Sequence, residues 1–492
     1  MTIIPSTTST LFLRPLAAAT VVIYATAIAA WMAVSVTQAA ARALLGEPPI
    51  IAITNCNDSG AGSLRDAIHN AVSGDIIDLT LLTCGRISLT TGALDIDQPV
   101  LTLTGPGAGA LAIDGSNRDR IFHTKGSETL TLQAMSIANG TIHRRDSDAD
   151  DAAGGCIYAD GNVVLSGVNV RYCEALAEGS RTALGGAVWA RGQVDLEYSR
   201  ISGNFTYTQG SGYARGGGLY ASGGLFMVSS TLADNAAYSI AEARSVGGGA
   251  FVRGGVVIAS STVSMNEADR SGGLDLDDNA GNPASLISST VSGNSARLVG
   301  GISARPVLQL YNSTIAFNRS SAWTDTDSAG HHFAAGVHVF DAIRMNSTII
   351  SNNVNAGAPS PTADLTGADG ARFFGHQNNV MACDITCATD TTSGDPGLHP
   401  LRFNGGVTQT HLPTGGSWNA LGGNNVDGVI WDQRGPGFPR NSRDGWIDIG
   451  ALQIEADGIF RDDFEQIQMA KESDLRVAAS RVSVSTTEAN SP

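Results

Sequence analysis

Short runs with alternating hydrophobic and polar positions follow pairs of glycines at regular intervals through the middle of the chain. Seven runs share this pattern: GGCIYADG from Gly154, GGAVWARG from Gly185, GGLYASGG from Gly217, GGAFVRGG from Gly248, GGLDLDDN from Gly272, GGISARPV from Gly300 and AGVHVFDA from Ala335. The second glycines lie 24 to 35 residues apart. A period in this range is typical of stacked supersecondary units, and alternation with a period of two predicts β-strands.

The alternation also predicts which side chains of each run point inward. Positions one and three after the second glycine are predicted to face the core, and positions two and four to face outward. This assigns Tyr158 and Trp189 to the interior. The charged and aromatic side chains that it assigns to the outer face are Tyr220, Phe251, Arg253, Asp275, Asp277, Arg305 and His338.

A second element, Thr-x-x-x-Asn or a variant of it, follows each run. It occurs at residues 231–235, 262–266, 290–294, 314–318 and 348–352, and Cys173 takes the place of the asparagine in an earlier unit. Asparagines stacked on successive coils can form amide ladders, and glycine permits corners with positive φ. We therefore expect both residue types to be structural.

These patterns predict an all-β fold, a right-handed parallel β-helix with two or three short strands in each coil. The predicted solenoid extends over residues 50–394. Near its start, SLRDAIHNAV (63–72) carries Ser63 and Asp66 in capping-box positions and one apolar stripe. We expect a short N-terminal capping helix here that covers the open edge of the first coil.

Composition and charge restrict the class of partner. The chain has 59 glycines, a net charge of −16 and only two lysines, Lys125 and Lys471. An acidic surface without basic patches disfavours nucleic acids and anionic membranes as partners.

The chain ends and the cysteines predict export. An apolar stretch from Leu16 to about Val36 precedes small residues, so we expect residues 1–43 to be a cleaved signal peptide or an N-terminal anchor. No other segment is apolar enough to cross a membrane as a helix. Six cysteines form three local pairs, and we expect disulfides Cys56–Cys84, Cys156–Cys173 and Cys383–Cys387. Residues 454–492 are acidic and then rich in Ser and Thr, which predicts a flexible tail.

Three resemblances agree with export. NCNDSGAGSLRDAI resembles the C-S-L-R-E-A signature of exported bacterial β-helix proteins, although the cysteine lies earlier here, at Cys56. Residues 395–453 contain DPGL, NGGVTQTH, DQRG and DIGA in the order found in the domain called choice-of-anchor Q. This resemblance implies an exported or surface-attached protein, and no catalytic activity. The Gly-Gly and Asn repeats are similar to those of polymorphic outer-membrane proteins, which implies a location at the cell surface or outer membrane.

One outward constellation is a candidate binding site. Arg253, Asp277 and Arg305 occupy equivalent positions on three adjacent coils, with Asp275 beside Asp277. Tyr220, Phe251 and His338 belong to the neighbouring outward row. Loops are long on both sides of this zone and short inside it, so the surface should form a saddle that suits an extended polar ligand such as a glycan. The alternative is a plain salt-bridge ladder, worth about 0.2–1 kcal/mol per pair.

The sequence therefore predicts a passive surface role, namely adhesion or recognition of a polysaccharide or cell-surface glycan, with no catalytic residue and no cofactor assigned. The alternative is a polysaccharide-acting enzyme that resembles the pectin-lyase-like β-helix enzymes. That resemblance implies Ca²⁺ held by carboxylates, here Asp275, Asp277 and Asp278, with Arg305 or Arg253 as the base. A paired-carboxylate glycosidase is a further alternative, for which the sequence does not assign the second carboxylate.

Overall fold

A computed structural model of the protein describes residues 48–454, except 126–127, 242–243, 278–280, 323–324, 327–331, 357–363, 384–389, 415–421, 426–427 and 441–446. The predicted signal peptide and the predicted tail from residue 455 onward lie outside these residues, and so do Asp278 and Cys387. The domain boundary at residue 394 stays a prediction.

The described chain winds into a right-handed parallel β-solenoid, as predicted. Sheets 1, 2 and 3 form its body. Sheet 1 comprises Ile50–Ala52, Ile76–Asp78, Val100–Thr104, Thr129–Gln133, Asn162–Ser166, Gln193–Glu197, Gly224–Val228, Gly255–Ala259, Ala284–Ile287, Leu308–Tyr311, Ala342–Asn346 and Arg372–His376. Sheet 2 comprises Arg86–Ser88, Ala112–Asp114, Ser136–Ala138, Asn169–Arg171, Arg200–Ser202, Thr231–Ala233, Thr262–Ser264, Thr290–Ser292, Thr314–Ala316, Ile349–Ser351 and Asn379–Val380. Sheet 3, formed by the strands that follow the glycines, comprises Leu94–Ile96, Phe122–Thr124, Ile157–Ala159, Val188–Ala190, Leu219–Ala221, Ala250–Val252, Leu274–Leu276, Ile302–Ala304, Val337–Val339 and Leu365–Gly367.

Two smaller parallel sheets lie, in some of the coils, between the sheet 2 strand and the sheet 3 strand that follows it along the chain. Sheet 4 comprises Thr141–Arg144, Glu174–Gly179, Phe205–Gly210, Ala236–Ser239, Glu267–Ala268, Ser295–Ala296, Arg319–Ser320 and Val354–Asn355. Sheet 5 comprises Ala152–Ala153, Ala183–Leu184, Ala214–Arg215 and Ser245–Val246. Arg402–Phe403 and Gln409–Thr410 form a separate antiparallel hairpin. Apolar side chains from sheets 1, 2 and 3 fill one continuous core along the solenoid axis.

The capping helix is present at Leu64–Asn70. Ser63 is its N-cap and accepts a hydrogen bond from the Asp66 amide at 3.2 Å. Leu64 and Ile68 are buried against the first coils, so the helix covers the N-terminal end of the core. No helix in the described part of the chain is long and apolar enough to span a membrane.

The asparagine ladder is confirmed. Each asparagine donates from Nδ2 to Oδ1 of the next residue in the ladder at 2.9–3.0 Å, in the order Asn204, Asn235, Asn266, Asn294, Asn318 and Asn353. Asp364 ends the ladder and accepts from Asn353 at 2.8 Å. The prediction of Asn352 was wrong by one residue, because Ile349 and not Thr348 pairs with Thr314.

The glycines have two different roles. Gly216, which precedes a glycine pair, has φ of +67°, the positive value expected for a glycine at a corner of the coil. The second glycine of the same pair, Gly218, is required for close approach instead. A Cβ there would lie 2.7 Å from the Gly249 carbonyl oxygen and 3.0 Å from the Asn235 amide. The asparagine ladder thus packs directly on glycines that carry no side chain.

Two of the three predicted disulfides, Cys56–Cys84 and Cys156–Cys173, are confirmed. Strand pairing aligns Ile157 with Leu219 through Val188, so Cys156 occupies the place of Gly218. Cys173 occupies the asparagine place, since its amide donates to Asn204 Oδ1 at 3.0 Å. A covalent bond therefore replaces the glycine–asparagine contact at the start of the ladder.

The described residues of 395–453 form a strap along the outer face of sheet 2. Gln433 donates to Thr262 Oγ1 at 3.0 Å, and Arg440 donates to Asn312 Oδ1 at 2.9 Å. Asp432 and Arg434 form a buried ion pair at 2.7 Å. The contacts of the strap run along the flank of the solenoid.

Candidate functional site

The middle residue of each sheet 3 strand points away from the core, and these residues lie in register. We call this set the outer row. Its members, in order along the axis, are Asp95, His123, Tyr158, Trp189, Tyr220, Phe251, Asp275, Ser303, His338 and Thr366.

The inward placement predicted for Tyr158 and Trp189 was wrong. Both rings belong to the outer row, where they stack with centroids 4.4 Å apart. The cause is a shift of one residue in the first two runs, since Cys156 and Ala187 occupy the place of the second glycine there. Ile157 and Val188 face the core instead.

Tyr220 and Phe251 occupy the predicted row, but they are buried, with only 6% and 3% of their surface exposed. Their rings stack at 5.2 Å, and Val246 of sheet 5 packs on them. The expectation of an outward aromatic platform at these two positions is therefore corrected. Sheet 5 was not predicted from the sequence, and it covers this part of the row.

His338 is also buried, at the far end of the zone. Its Nδ1 lies 2.8 Å from Thr366 Oγ1, and its ring packs 4.8 Å from both Phe333 and Phe340. Phe333 belongs to the described end of the loop that leads into this coil, and its ring covers His338.

Between these two covered stretches the outer row is open. Sheet 5 ends at Val246, and Asp275 and Ser303 on the next two coils are only partly buried. We define the notch as Asp275, Asp277, Ser303, Arg305 and Phe340. The predicted saddle thus corresponds to a notch two coils wide, between Phe251 on one side and His338 on the other.

The charged residues on the rim of the notch lie in register on successive coils. The Asp277 amide donates to the Val252 carbonyl and the Arg305 amide to the Leu276 carbonyl, both within 2.9 Å, which places Arg253, Asp277 and Arg305 on successive coils. Arg305 Nε lies 2.8 Å from Asp277 Oδ1. This ion pair is one that the sequence predicts under the alternative interpretation, in which the charged residues form a salt-bridge ladder.

Arg305 makes a second contact that the sequence did not reveal. Its guanidinium lies 4.7 Å from the ring centroid of Phe340, the equivalent residue on the next coil. The side chain of Arg305 remains 46% exposed. The notch therefore presents a guanidinium fixed between a carboxylate and a ring, with its outer edge open to solvent.

Asp275 forms the floor of the notch. Its Oδ2 accepts a hydrogen bond from Ser271 Oγ at 2.5 Å. Burial raises the pKa of Asp275, and the neighbouring Asp277 carboxylate acts in the same direction, against the Ser271 hydrogen bond and the nearby arginines. A carboxyl group that holds its proton to higher pH is typical of, but not unique to, functional sites.

The described residues of the notch do not fit a Ca²⁺ site. Calcium requires several ionised or carbonyl oxygens around one point. Asp277 is engaged by the Arg305 guanidinium, and burial favours the protonated form of Asp275. Asp278 lies outside the described residues, and no group of three or more potential ligands occurs among those that are described.

The chain matches no protein-family model and no curated protein. The choice-of-anchor Q resemblance and the outer-membrane repeat resemblance therefore stay predictions. Among solved structures, the chain is similar to pectate lyase Pel9A, with a TM-score of 0.37 and 11% identity over 82% of this chain and 97% of that one. It is also similar to a PL6 alginate lyase in complex with a trisaccharide (TM-score 0.30, 10% identity, 75% and 92% covered). A third is alginate lyase AlyF-OU02 in complex with G6 (TM-score 0.30, 9% identity, 74% and 92% covered). These identities are too low to transfer an activity to this chain.

Proposed function

We propose that this protein is an exported β-helix protein that binds polysaccharide at the notch on sheet 3. One observation carries the proposal, namely the exposed guanidinium of Arg305 held between Asp277 and Phe340 in the open stretch of the outer row between Phe251 and His338. Polar groups fixed on a rigid sheet can recognise the hydroxyl and carboxyl groups of a sugar without an ordering cost.

Export is supported by the two disulfides, since such bonds persist in oxidising compartments outside the cytosol. The elongated parallel sheet offers an extended ligand equivalent positions on consecutive coils, about 4.8 Å apart. A passive recognition role needs nothing beyond this surface.

The test is affinity electrophoresis of the folded protein in gels that contain single polysaccharides. Retention by at least one polysaccharide is expected, and it should fall at least fivefold in Arg305→Gln and in Phe340→Ala. The chain offers a matched control in sheet 1, where Arg344 lies 5.2 Å above Phe374, a ring that is 44% exposed. Arg344→Gln and Phe374→Ala should leave retention unchanged. Equal losses in both pairs, or no retention at all, would refute the notch as a binding site.

A second candidate function is cleavage of a polysaccharide, and the raised pKa of Asp275 favours it. Asp275 lies in the strand Leu274–Leu276 on the floor of the notch, whereas Asp277 follows that strand and pairs with Arg305, so the two carboxyl groups have different surroundings. Such a pair can serve as acid and base in glycosidic bond cleavage. Release of reducing ends or of unsaturated sugars by the wild type, and its loss in Asp275→Asn, would establish this activity. Binding without any product would exclude it for the polysaccharides tested.

A further inference from the structure

A group of apolar side chains, three of them aromatic, lies on the outer face of sheet 4. Strand pairing aligns Leu176, Tyr207 and Tyr238 on three successive coils, and Phe205 lies two residues before Tyr207. The ring centroid of Phe205 lies 5.9 Å from that of Tyr207 and 5.5 Å from that of Tyr238. All four side chains are at least partly exposed. We call these four residues the sheet 4 patch.

The packing of sheet 4 on sheet 5 explains why large apolar side chains lie outside. Alternation along Glu174–Gly179 and Phe205–Gly210 buries every second residue. The buried residues of the first strand are small, and Ala175 and Ala177 belong to one buried cluster with Ala183 of sheet 5. The larger side chains of both strands therefore occupy the opposite, outer face of a two-layered ridge.

The strap supplies a ring contact at one corner of the solenoid but not at the corner beside the sheet 4 patch. Phe317 and Tyr172 each follow directly after a sheet 2 strand, with φ of +58° and +57°. The ring of His411 in the strap packs 4.9 Å from that of Phe317. Tyr172, whose ring lies against Gly203, is 59% exposed. The guanidinium of Arg171 lies 5.8 Å from its centroid, so a ring at this edge already contacts a cation.

Carboxylates border the sheet 4 patch at both ends of its first long strand. Glu174 is exposed and lies beside Phe205 on the neighbouring strand. Glu178 follows at the other end of the strand, with Oε1 2.9 Å from His143 Nε2. Within the described part of the chain, neither glutamate forms an ion pair with an arginine or a lysine.

A third carboxylate, that of Glu267, borders the patch on the coil after Tyr238. Burial and the hydrogen bond to Glu267 raise the pKa of Tyr238 to about 12, so the phenol stays neutral and donates to the carboxylate. An exposed apolar surface with a polar rim is typical of an interaction site. Because the rim consists of carboxylates, it complements a cationic partner.

We infer that the sheet 4 patch is a docking surface for a protein partner that presents arginine side chains to it. A guanidinium is planar, so it stacks on a ring and also forms two parallel hydrogen bonds with a carboxylate. Neighbouring strands lie about 4.8 Å apart, which brings Glu174 and the ring of Phe205 within reach of one guanidinium. This surface belongs to a different sheet from the notch, and the inference does not depend on a polysaccharide ligand.

The test measures binding of fluorescently labelled hexa-arginine and hexalysine to the folded protein by fluorescence anisotropy at about 0.15 M salt. Hexa-arginine is expected to bind at least about fivefold more tightly, because the lysine ammonium is a hydrated point charge that does not stack as a plane. Unspecific attraction to an acidic protein would treat the two peptides alike, since they carry the same charge. Equal affinities would therefore overturn the recognition of arginine. Tighter binding of a labelled glucosamine hexamer, a cationic sugar, would overturn the assignment to a protein partner.

The variant Tyr207→Leu tests the rings, because leucine keeps an apolar side chain but has no aromatic face. It should weaken hexa-arginine binding about three- to fivefold. Tyr207→Phe keeps the ring and should bind like the wild type, which separates loss of the ring from a fault in folding. Tyr198→Leu is the matched control, because Tyr198 is an exposed tyrosine between sheets 1 and 2, and it should change binding less than twofold. Equal losses in Tyr207→Leu and Tyr207→Phe would overturn the role of the ring.

The variant Glu174→Gln tests the carboxylate rim and should weaken hexa-arginine binding about two- to fivefold. Its control is Glu197→Gln, at an exposed position of sheet 1, which should change binding less than twofold. Equal effects of E174Q and E197Q, or of Y207L and Y198L, would show that the peptide binds the acidic surface as a whole. Either result would overturn the sheet 4 patch as a docking surface.

Discussion

The outer faces of sheets 2 and 3 belong to the same coils, but the first is covered by the strap and the second is partly open to solvent. Sheet 2 presents small hydroxyl side chains such as Thr262, Thr290 and Thr314, and the strap covers them through direct hydrogen bonds. Sheet 3 presents rings and charges on the same coils, and it stays open at the notch. The strap on sheet 2 and sheet 5 on sheet 3 therefore decide which outward positions are covered and which can receive a ligand.

The comparison also separates residues that look alike in sequence. Phe251 lies beside the notch and Phe340 belongs to it, but Val246 covers the first ring, whereas the second borders solvent under Arg305. The pattern of alternation alone gives both the same role. Only the position of sheet 5 assigns the first ring to stability and the second to the candidate site.

The largest expected effect comes from exchanging these two rings for alanine. Phe251→Ala should lower the free energy of unfolding by about 3–5 kcal/mol, because it removes a buried ring and leaves a cavity. Phe340→Ala should lower it by less than about 1 kcal/mol and should reduce polysaccharide retention. Urea denaturation followed by circular dichroism measures both. Similar losses of stability in the two variants would remove the distinction between covered and open rings.

The second effect is a pH dependence that belongs to the strap. Burial lowers the pKa of His411 from 6.5 to about 4, while its Nδ1 lies 2.7 Å from the His399 carbonyl and its Nε2 lies 2.8 Å from Ser292 Oγ. Between these two values the unfolded chain binds a proton that the folded chain does not, so stability falls as the pH drops from 6.5 to 4. The expected loss is about 3 kcal/mol.

The variant His411→Gln isolates the contribution of His411 to the pH dependence of stability, because glutamine keeps a hydrogen-bond donor and an acceptor but does not titrate. The difference in unfolding free energy between the wild type and H411Q should shrink or change sign as the pH falls through this range. His69→Asn, on the exposed side of the capping helix, is the matched control and should leave the pH profile unchanged. A constant difference from pH 7 to pH 4 would contradict the neutral, buried state of His411.

The third effect tests how the strap holds sheet 2. Gln433 accepts from Thr290 Oγ1 at 2.6 Å and donates to Thr262 Oγ1, and its side chain is buried. Gln433→Ala should lower the free energy of unfolding by about 1–3 kcal/mol, since it leaves buried hydroxyls without partners. Gln193→Ala, an exposed position on sheet 1, should change it by less than about 0.5 kcal/mol. If Gln433→Ala behaved like this control, the strap would not stabilise the solenoid.

The smallest effect concerns the ion pair on the rim of the notch. A double-mutant cycle with Asp277→Asn and Arg305→Gln should give a coupling energy of about 0.2–1 kcal/mol, because both groups are partly exposed. The same cycle measured on ligand binding should give a larger coupling if the pair positions Arg305 for the ligand. Equal coupling energies for unfolding and for ligand binding would show that the pair contributes to stability only and does not position Arg305 for the ligand.

The sequence predicts the fold well because the repeat is local and strict. Glycine, strand and asparagine recur at spacings that only stacked coils satisfy, and the asparagine ladder and two disulfides follow from those spacings. The errors come from shifts of one residue: Asn352 for Asn353, and the inward assignment of Tyr158 and Trp189. In each case a neighbouring residue of the same type or size hid the true register, which strand pairing across coils then reveals.

The candidate site was predicted less completely, for a physical reason. The register of the strands aligns Arg253, Asp277 and Arg305 on successive coils. Whether an aligned side chain is exposed depends on the segments that cover it, and the position of those segments depends on tertiary packing. Sheet 5 has strands of only two residues, such as Ser245–Val246, too short to leave an alternation pattern. The contacts of the strap join residues more than 100 positions apart, such as Gln433 and Thr262, and no local pattern encodes them.

Hydroxyl-radical footprinting of the folded protein, with and without a bound polysaccharide, tests the central claim most directly. The account predicts that the ligand protects Phe340 in the notch and leaves Phe374 on sheet 1 as reactive as before. Protection of Phe374 with no change at Phe340 would contradict the claim that the uncovered part of sheet 3 is the binding face.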